Sequence, residues 1–308
     1  MSTSADAPET SAPGGRAASE ATPPGGRAAS EASDQSRPRG PRRPRVPLLR
    51  LYTWLVIGWL SLPILVMVLF GFNDTSGKFN FVWQGWTLRW YRHLFDIPDL
   101  TTALRNSVTI AVIVTLLSAV MGTMIGYAMG RYSFRGRGVL TIVLFANVAA
   151  PEIAMGTGLL SLFLTLGIPR GYWTVVIAHI MFDIVYVAIT VQARMSAYDR
   201  SLEEAAKDLG ASALTTFRLV TLPVLMPGVV AGSLLAFALS IDDFIITEFN
   251  AGSMQTFPLW VYSSSRVGTP PQVNVMGTLV FAFGIALVLA NTWMLRRQRR
   301  RSAGVTAS

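Results

Sequence analysis

Apolar residues occur in six long runs along the chain, and the two ends of the chain, together with the connectors between the runs, hold most of the charged residues. Each run reaches or exceeds the ~20 residues that an α-helix needs to cross the hydrocarbon layer of a membrane. The runs cover approximately residues 49–72, 107–130, 139–166, 172–193, 227–249 and 275–295. This pattern predicts an all-α integral membrane protein with six transmembrane helices.

The third run differs from the others because helix-breaking residues interrupt it. The sequence "NVAAPEIAMGTG" places Pro151, Glu152 and two glycines near its middle. A proline removes one backbone donor and disfavours helical geometry in the residue before it. Inside a membrane protein, neighbouring helices can satisfy the carbonyl group that is freed. We therefore expect this span to bend near Pro151.

The charge pattern predicts how the chain lies in the membrane. Charged residues make up 14% of the 308 residues, against roughly 25% in ordinary soluble domains. Twenty of the 26 lysines and arginines lie in the two ends and in the connectors after the second and fourth runs. Cytoplasmic connectors carry such an excess, so we expect both termini in the cytoplasm of a multi-pass cell-membrane protein. The same placement argues against a nucleic-acid partner.

Three domains are expected from the change in composition along the chain. Residues 1–47 are rich in Ala, Pro, Gly and Arg and repeat "PGGRAASEA" at 13–21 and 24–32, which predicts a disordered cytoplasmic tail. Residues 48–296 hold the six spans, and residues 297–308 form a basic cytoplasmic tail. The connector 73–106 is dense in aromatic residues, which favour a membrane interface; a docking surface for an extracytoplasmic partner is the alternative.

Metal and thiol chemistry has little support in the sequence. The chain has no cysteine, and its two histidines, His93 and His179, are predicted to be surface or packing residues. We therefore expect no metal site, no cofactor and no catalytic residues.

The charged connector 199–228 interrupts the apolar pattern with signals for two short helices. Ser201 and Glu204 have the spacing of a capping box, and Gly210 stands where a helix would end. Ser212 is placed to cap a second helix, which Pro223 should stop, and Pro227 should open the fifth span.

The first of these helices carries one small apolar face. The positions on this face are Leu202, Ala205, Ala206 and Leu209. Two alanines between two leucines allow close approach of another helix or cleft, which indicates a docking surface for a partner. A connector that packs on its own protein is an equal alternative at this point.

The segment "EAAKDLGAS", followed by "LPVLMPG", resembles the EAA loop of ABC importer permeases. The resemblance implies the fold of an ABC importer type I permease, in which this loop is a coupling helix seated in a groove of the ATP-binding subunit. The residues that the resemblance assigns to this contact are Glu204, Ala205, Ala206, Leu209, Gly210 and Phe217. The chain has no phosphate-binding loop of its own, since Gly77-Lys78 is followed by Phe79.

A second stretch, "SIDDFIITEFNAGSMQTFPLWVYSSSRVGTPPQ", is similar to the spermidine/putrescine permease family. This resemblance implies an importer for polyamines, with a second permease subunit in a heterodimer, ABC ATPase subunits and an extracytoplasmic substrate-binding protein. Phe257 departs from the family pattern, which has leucine there. The same framework could carry an opine, a phosphonate or an iron complex, and an ion-coupled secondary carrier is a more remote alternative.

Four acidic residues lie well within the apolar runs without a lysine or arginine beside them, and a fifth, Glu248, lies near the end of a span. The four are Glu152, Asp183, Asp242 and Asp243. Ionisable groups inside a membrane are costly and indicate function by default, and carboxylates bind ammonium groups well. We expect these acids to form a pathway for a cationic substrate, with the aspartate pair as the main candidates. Glu152 has the alternative of capping a helix break, and Asp183 that of a structural hydrogen bond.

Overall fold

The computed structural model describes residues 47–77 and 79–305, with side chains for residues 48–77 and 79–293. Apart from Pro47, the predicted tail 1–47 lies outside the described residues. The helices in these ranges are α1 (Pro47–Phe70), α2 (Arg89–Arg92), α3 (Pro98–Arg131), α4 (Arg137–Ala149), α5 (Glu152–Thr165), α6 (Tyr172–Ser196), α7 (Ser201–Asp208), α8 (Ala213–Thr216), α9 (Leu222–Asp242), α10 (Ile245–Asn250), α11 (Phe257–Ser264) and α12 (Pro271–Val305). The contacts between residues divide the chain into two compact units. The first turns of α1, up to Ile57, belong to one unit, and the chain from Gly58 onward belongs to the other.

The prediction of an all-helical membrane protein is confirmed. Within the described residues, five helical segments are long and apolar enough to cross a membrane, and α4 with α5 makes a sixth if that bent pair counts as one span. The two helices meet at 110°. Ala150, just before Pro151, has an extended backbone with ψ 136°, as steric contact with a following proline demands. The predicted bend is therefore confirmed.

The start of the fifth span differs from the prediction. The helical segment is continuous from Ala213 to Asp242, through α8, a π-turn at Phe217–Thr221 and α9. The prediction that Pro223 stops one helix and Pro227 begins the next is wrong. Pro223 lies in the first turn of α9, and Pro227 lies inside that helix, where packing within a membrane protein tolerates a missing donor.

The end of this span also differs, because α9 stops at Asp242 although the apolar run continues to residue 249. Asp243 has an extended backbone with ψ 126°. Its carboxylate Oδ2 accepts hydrogen bonds from the backbone N of Thr247 at 2.8 Å and from the Thr247 hydroxyl at 2.7 Å. A short acidic side chain thus replaces a helical carbonyl as acceptor at the start of α10.

The core of the bundle is built on α6, the span with the largest buried share. α3 and α9 approach it through glycines. A Cβ atom added to Gly126 of α3 would lie 2.5 Å from the carbonyl oxygen of Ala188, and one on Gly232 of α9 would lie 2.8 Å from Cα of Val187. Small residues of this kind let membrane helices pack closely. The three helices therefore form a tight unit from which the other elements extend.

The aromatic connector before α2 is folded around one buried amide. The Asn73 side chain donates hydrogen bonds to Asn80 Oδ1 and to the carbonyl oxygen of Val82, both at 2.7 Å. The Trp90 indole donates to the backbone oxygen of Asn73 at 2.7 Å. Phe81 and Trp86 remain exposed on this loop, so the choice between a membrane interface and a docking surface stays a prediction.

Candidate functional site

The EAA loop (199–228) begins with α7, whose start differs from the predicted capping box. Ser201 is the first helical residue, and the N-cap residue, Arg200, makes no capping hydrogen bond with its side chain. Instead, the Asp199 carboxylate accepts a hydrogen bond from the backbone N of Ser201 at 3.0 Å. This hydrogen bond stabilises the charged form and lowers the pKa of Asp199.

The end of α7 and the start of α8 follow the prediction. Gly210 has φ +82°, and its N donates to the carbonyl oxygen of Lys207 at 2.8 Å, while Ala211 N donates to that of Ala206 at 3.0 Å. These two bonds form a Schellman turn, which requires the left-handed conformation that glycine adopts most easily. Ser212 Oγ then accepts from the backbone N of Thr215 at 3.3 Å, so the predicted cap of α8 is confirmed.

The apolar face of α7 is left uncovered by the described part of this chain. Leu209 is 90% exposed and Leu202 is 47% exposed. Glu204 and Ala205 are also exposed, and Ala206 is half-buried. Exposed apolar surface of this kind marks an interaction site. The geometry therefore favours the docking alternative over a connector that packs on its own protein.

Phe217, the remaining residue assigned to the loop contact, has a different environment. It is half-buried in the π-turn, and its ring centroid lies 5.1 Å from that of Tyr127 of α3. Its position supports the base of the loop and does not extend the exposed face of α7.

Glu203 is a residue of this loop that sequence reasoning missed. It is 3% exposed, and its carboxylate forms an ion pair with Arg131 at 2.8 Å. Removing one partner from a buried ion pair costs about 3–5 kcal/mol because the other charge is left without compensation. The sequence placed Glu203 away from the apolar face, which is typical of a solvated residue, and gave no sign of a partner 72 positions earlier.

The two adjacent aspartates have separate environments. Asp243 Oδ2 lies 3.2 Å from His179 Nε2, and the buried His179 ring also contacts Ser240 Oγ through Nδ1 at 2.8 Å. His179 is therefore a packing residue, as predicted, but one bonded to a predicted site residue. Asp242 instead lines a cavity of about 930 Å³ between α9, α11 and α12.

The Asp242 cavity is mainly apolar, and aromatic rings form part of its lining. Phe244 and Tyr262 both line it, with ring centroids 4.8 Å apart. A single carboxylate beside aromatic faces is chemically suited to an alkylammonium ion, since ring faces attract cations and apolar walls receive a methylene chain.

The other two predicted acids are not hydrogen-bonded to this pair in the described residues. Asp183 is fully buried, and neither carboxylate oxygen has a hydrogen-bond partner there. The alternative of a structural hydrogen bond for Asp183 therefore finds no support in the described contacts. Glu152 is exposed in the first turn of α5, where a negative charge is favourable at the N-terminus of a helix.

Comparisons with known proteins agree with this architecture. Residues 122–301 match the family described as "Binding-protein-dependent transport system inner membrane component". The chain is 36% identical over 250 residues to the spermidine/putrescine transport system permease protein PotC of Escherichia coli K12, covering 81% of this chain and 94% of PotC. It is 38% identical over 258 residues to the putrescine transport system permease protein PotI of the same organism, covering 80% of this chain and 91% of PotI.

Among solved structures, a bacterial alginate ABC transporter in complex with an alginate pentasaccharide-bound periplasmic protein has a similar fold. The TM-score is 0.58 at 15% sequence identity, and the match covers 81% of this chain and 92% of that one. The chain belongs to the family of binding-protein-dependent transport system inner membrane components. The resemblance to spermidine/putrescine permeases found in the sequence is thereby confirmed.

Proposed function

We propose that this chain is the permease subunit of an ATP-driven ABC importer and that it translocates polyamines such as spermidine and putrescine. The observation that carries the proposal is the similarity to PotC and PotI, which extends over four fifths of the chain. The aromatic cavity lined by Asp242 supports the same substrate class, because polyamines are cations with apolar methylene segments between their ammonium groups.

The energy for transport comes from a separate ATPase subunit that docks on the EAA loop. The uncovered face of α7 supports this contact, as does the lack of a phosphate-binding loop in the sequence. The assigned contact residues are Glu204, Ala205, Ala206, Leu209 and Gly210, with Phe217 at the base of the loop. In this arrangement both termini and residues 199–228 lie in the cytoplasm, and residues 1–47 and 297–308 are cytoplasmic tails of the membrane domain 48–296.

A second permease subunit completes the pathway, and a substrate-binding protein delivers the polyamine from outside. Asp242 contacts the ammonium groups of the substrate, because it is the acidic residue in the lining of the cavity. Asp243 holds His179 and the start of α10 and thereby positions its neighbour. Two further acids belong to the pathway. Asp183 is buried in α6, and Glu152 lies at the start of α5.

The proposal is tested by uptake of radiolabelled putrescine and spermidine into cells that express the complete transporter. We compare the wild type with Asp242→Asn, with the double variant of Asp242 and Asp243, and with Asp208→Asn, which removes an exposed carboxylate from α7. We expect uptake to fall about tenfold or more in the first two, because a charge-assisted hydrogen bond is lost, and to persist in Asp208→Asn.

The possible outcomes test the polyamine assignment and the importer architecture separately. A wild type that moves neither amine would remove the polyamine assignment, and an opine, a phosphonate or an iron complex would then be tested as substrates. Full uptake by both aspartate variants would remove the pathway role of the pair. Uptake that needs no ATPase subunit would instead identify a secondary carrier.

A further inference from the structure

Glu203 behaves unlike the rest of α7, because its side chain points into the protein. Of the residues in this helix, Glu203 is the one that is buried, whereas the adjacent Glu204 is exposed. Burying a carboxylate is unfavourable unless partners compensate its charge and use its lone pairs. A helix that only had to present an apolar face could place alanine or leucine at this position.

Both carboxylate oxygens of Glu203 are used, and each one joins α7 to a different span. Arg131 Nε donates to Oε2 at 2.8 Å, and Arg131 is the last residue of α3. The Thr221 hydroxyl donates to Oε1 at 3.1 Å, and Thr221 is the last residue of the π-turn that leads into α9. The carboxylate therefore links the EAA loop to the ends of α3 and α9 at one point.

The surroundings of this link are partly or fully buried. Thr221 is fully buried, and its hydroxyl also lies 3.4 Å from the hydroxyl of Tyr198, in the connector between α6 and α7. The Tyr127 ring of α3 packs on Phe217 of the π-turn. Charge-assisted hydrogen bonds in such a low-dielectric site are stronger and more rigid than the same bonds in water.

We propose that Glu203 and Arg131 form a joint that transmits a displacement of α7 to the end of α3, so that the two are positioning residues of the transport cycle. The inference rests on the proposed function, since it takes α7 to be the element that the ATPase subunit moves. An apolar contact would let α7 slide across α3, whereas a directional ion pair makes the two elements move together.

The joint is tested in the purified transporter complex, reconstituted in lipid vesicles, by measuring amine uptake and ATP hydrolysis in the same sample. We expect Glu203→Gln and Arg131→Gln each to lower the amount of amine moved per ATP hydrolysed by about tenfold, within the range of allosteric coupling between two sites. The charge-exchanged double variant, Glu203→Arg with Arg131→Glu, should recover about half of the wild-type ratio, because it restores the pair. Asp208→Asn is the matched control on the same helix.

A second measurement depends on no substrate. The chain has no cysteine, so spin labels can be attached after Lys207→Cys on α7 and Met124→Cys on α3, both at exposed positions. In the chain with Glu203 intact, we expect the same label distance without nucleotide and with a non-hydrolysable ATP analogue. With Glu203→Gln, the distance should differ between these two conditions.

Each outcome decides the proposal. A wild-type ratio of amine to ATP in Glu203→Gln, or a charge-exchanged variant that recovers nothing, would overturn it. If the single variants only reduce the amount of protein in the membrane, the ratio in the remaining protein is unchanged, and the link is merely structural. A wild type that moves neither amine would be a failure of the proposed substrate alone, and the label distances would then decide whether the joint exists.

Discussion

The contact of α3 with α6 and the EAA loop both depend on small residues, but these residues act in opposite ways. Gly126 of α3 has no side chain, and atoms of α6, among them the carbonyl oxygen of Ala188, occupy the space that a Cβ atom would need. In α7, Ala205 and its neighbours face outward, and the described residues of the chain leave the space beside them open. The first arrangement is a closed interior, and the second is an open surface that the proposed function assigns to the contact with the ATPase subunit. Small residues therefore accompany close helix packing in one place and an open helix face in the other.

The largest effect should come from placing a charge on the open face. Leu209 is almost wholly exposed, so Leu209→Glu should leave the fold unchanged and yet remove the ATPase contact. We expect uptake to fall by about 100-fold, which is the size of effect seen when a residue at the centre of an interface is changed. Co-purification of the ATPase subunit with the permease measures this directly. Lys207→Gln, on the same helix, should retain the subunit; loss of the subunit in both variants would mean that the face is not specific.

The second effect should come from adding one methyl group to the closed contact. A Cβ on Gly126 would lie 2.5 Å from a backbone oxygen, so Gly126→Ala should destabilise the fold by about 1–3 kcal/mol. The melting temperature of the protein in detergent measures this loss.

Gly158 provides the matched control for this change. It lies in α5 with nothing within 4 Å of an added Cβ, so Gly158→Ala should stabilise the helix by about 0.5–1 kcal/mol. Equal melting temperatures for the two alanine variants would show that the approach of α3 to α6 is looser than the structure describes.

A smaller effect is expected at Gly210, where a side chain has room and only the backbone conformation disfavours residues other than glycine. Nothing lies within 4 Å of a Cβ added there, but φ is +82°. Gly210→Ala should therefore cost about 1–2 kcal/mol through the left-handed conformation alone. Gly210→Asn should cost less, since asparagine tolerates this conformation. The melting temperatures of the two variants measure the difference, and a larger loss for asparagine would point to a steric cause.

The smallest effect should appear at the start of α7. The pKa of Asp199 is lowered because its charged form accepts the hydrogen bond from the Ser201 amide. This hydrogen bond therefore stabilises the start of α7 fully at pH values above the ordinary pKa of an aspartate. The stabilisation is lost as the pH falls through the lowered pKa that Asp199 has in the folded protein. At pH 7 we expect faster hydrogen exchange of the Ser201 amide in Asp199→Ala than in the wild type. No difference in exchange would show that another group holds this amide.

The features that were predicted from the sequence depend on neighbouring positions in the chain. The six apolar runs, the bend at Pro151 and the glycine turn at Gly210 all follow from residues within a few places of each other. The break after Asp242 could not be predicted in this way, since no proline or glycine marks it. It arises from a carboxylate that replaces a backbone acceptor for Thr247.

The polar contacts of the candidate sites were missed because they join distant parts of the chain. Glu203 meets Arg131 across 72 positions, and His179 meets Asp243 across 64. A local pattern shows that such a residue is charged or apolar but does not show which element will cover it. The candidate acids could be named from the sequence, whereas only the fold shows that Asp242 lines a cavity and that Asp243 is hydrogen-bonded.

The π-turn at Phe217–Thr221 has a consequence for how this loop can vary. A π-turn holds one residue more than the α-helical turn it replaces, and each α-helical residue advances the helix by about 100°. Deleting one residue there would let α8 and α9 join as one regular α-helix, because the extra residue is taken up within a single turn. The apolar face of α7 would then keep about its present direction, whereas a one-residue deletion in the regular part of α9 would change the rotational phase by about 100°. The π-turn is therefore the place in this loop where the chain can lose one residue with the least effect on the direction of α7.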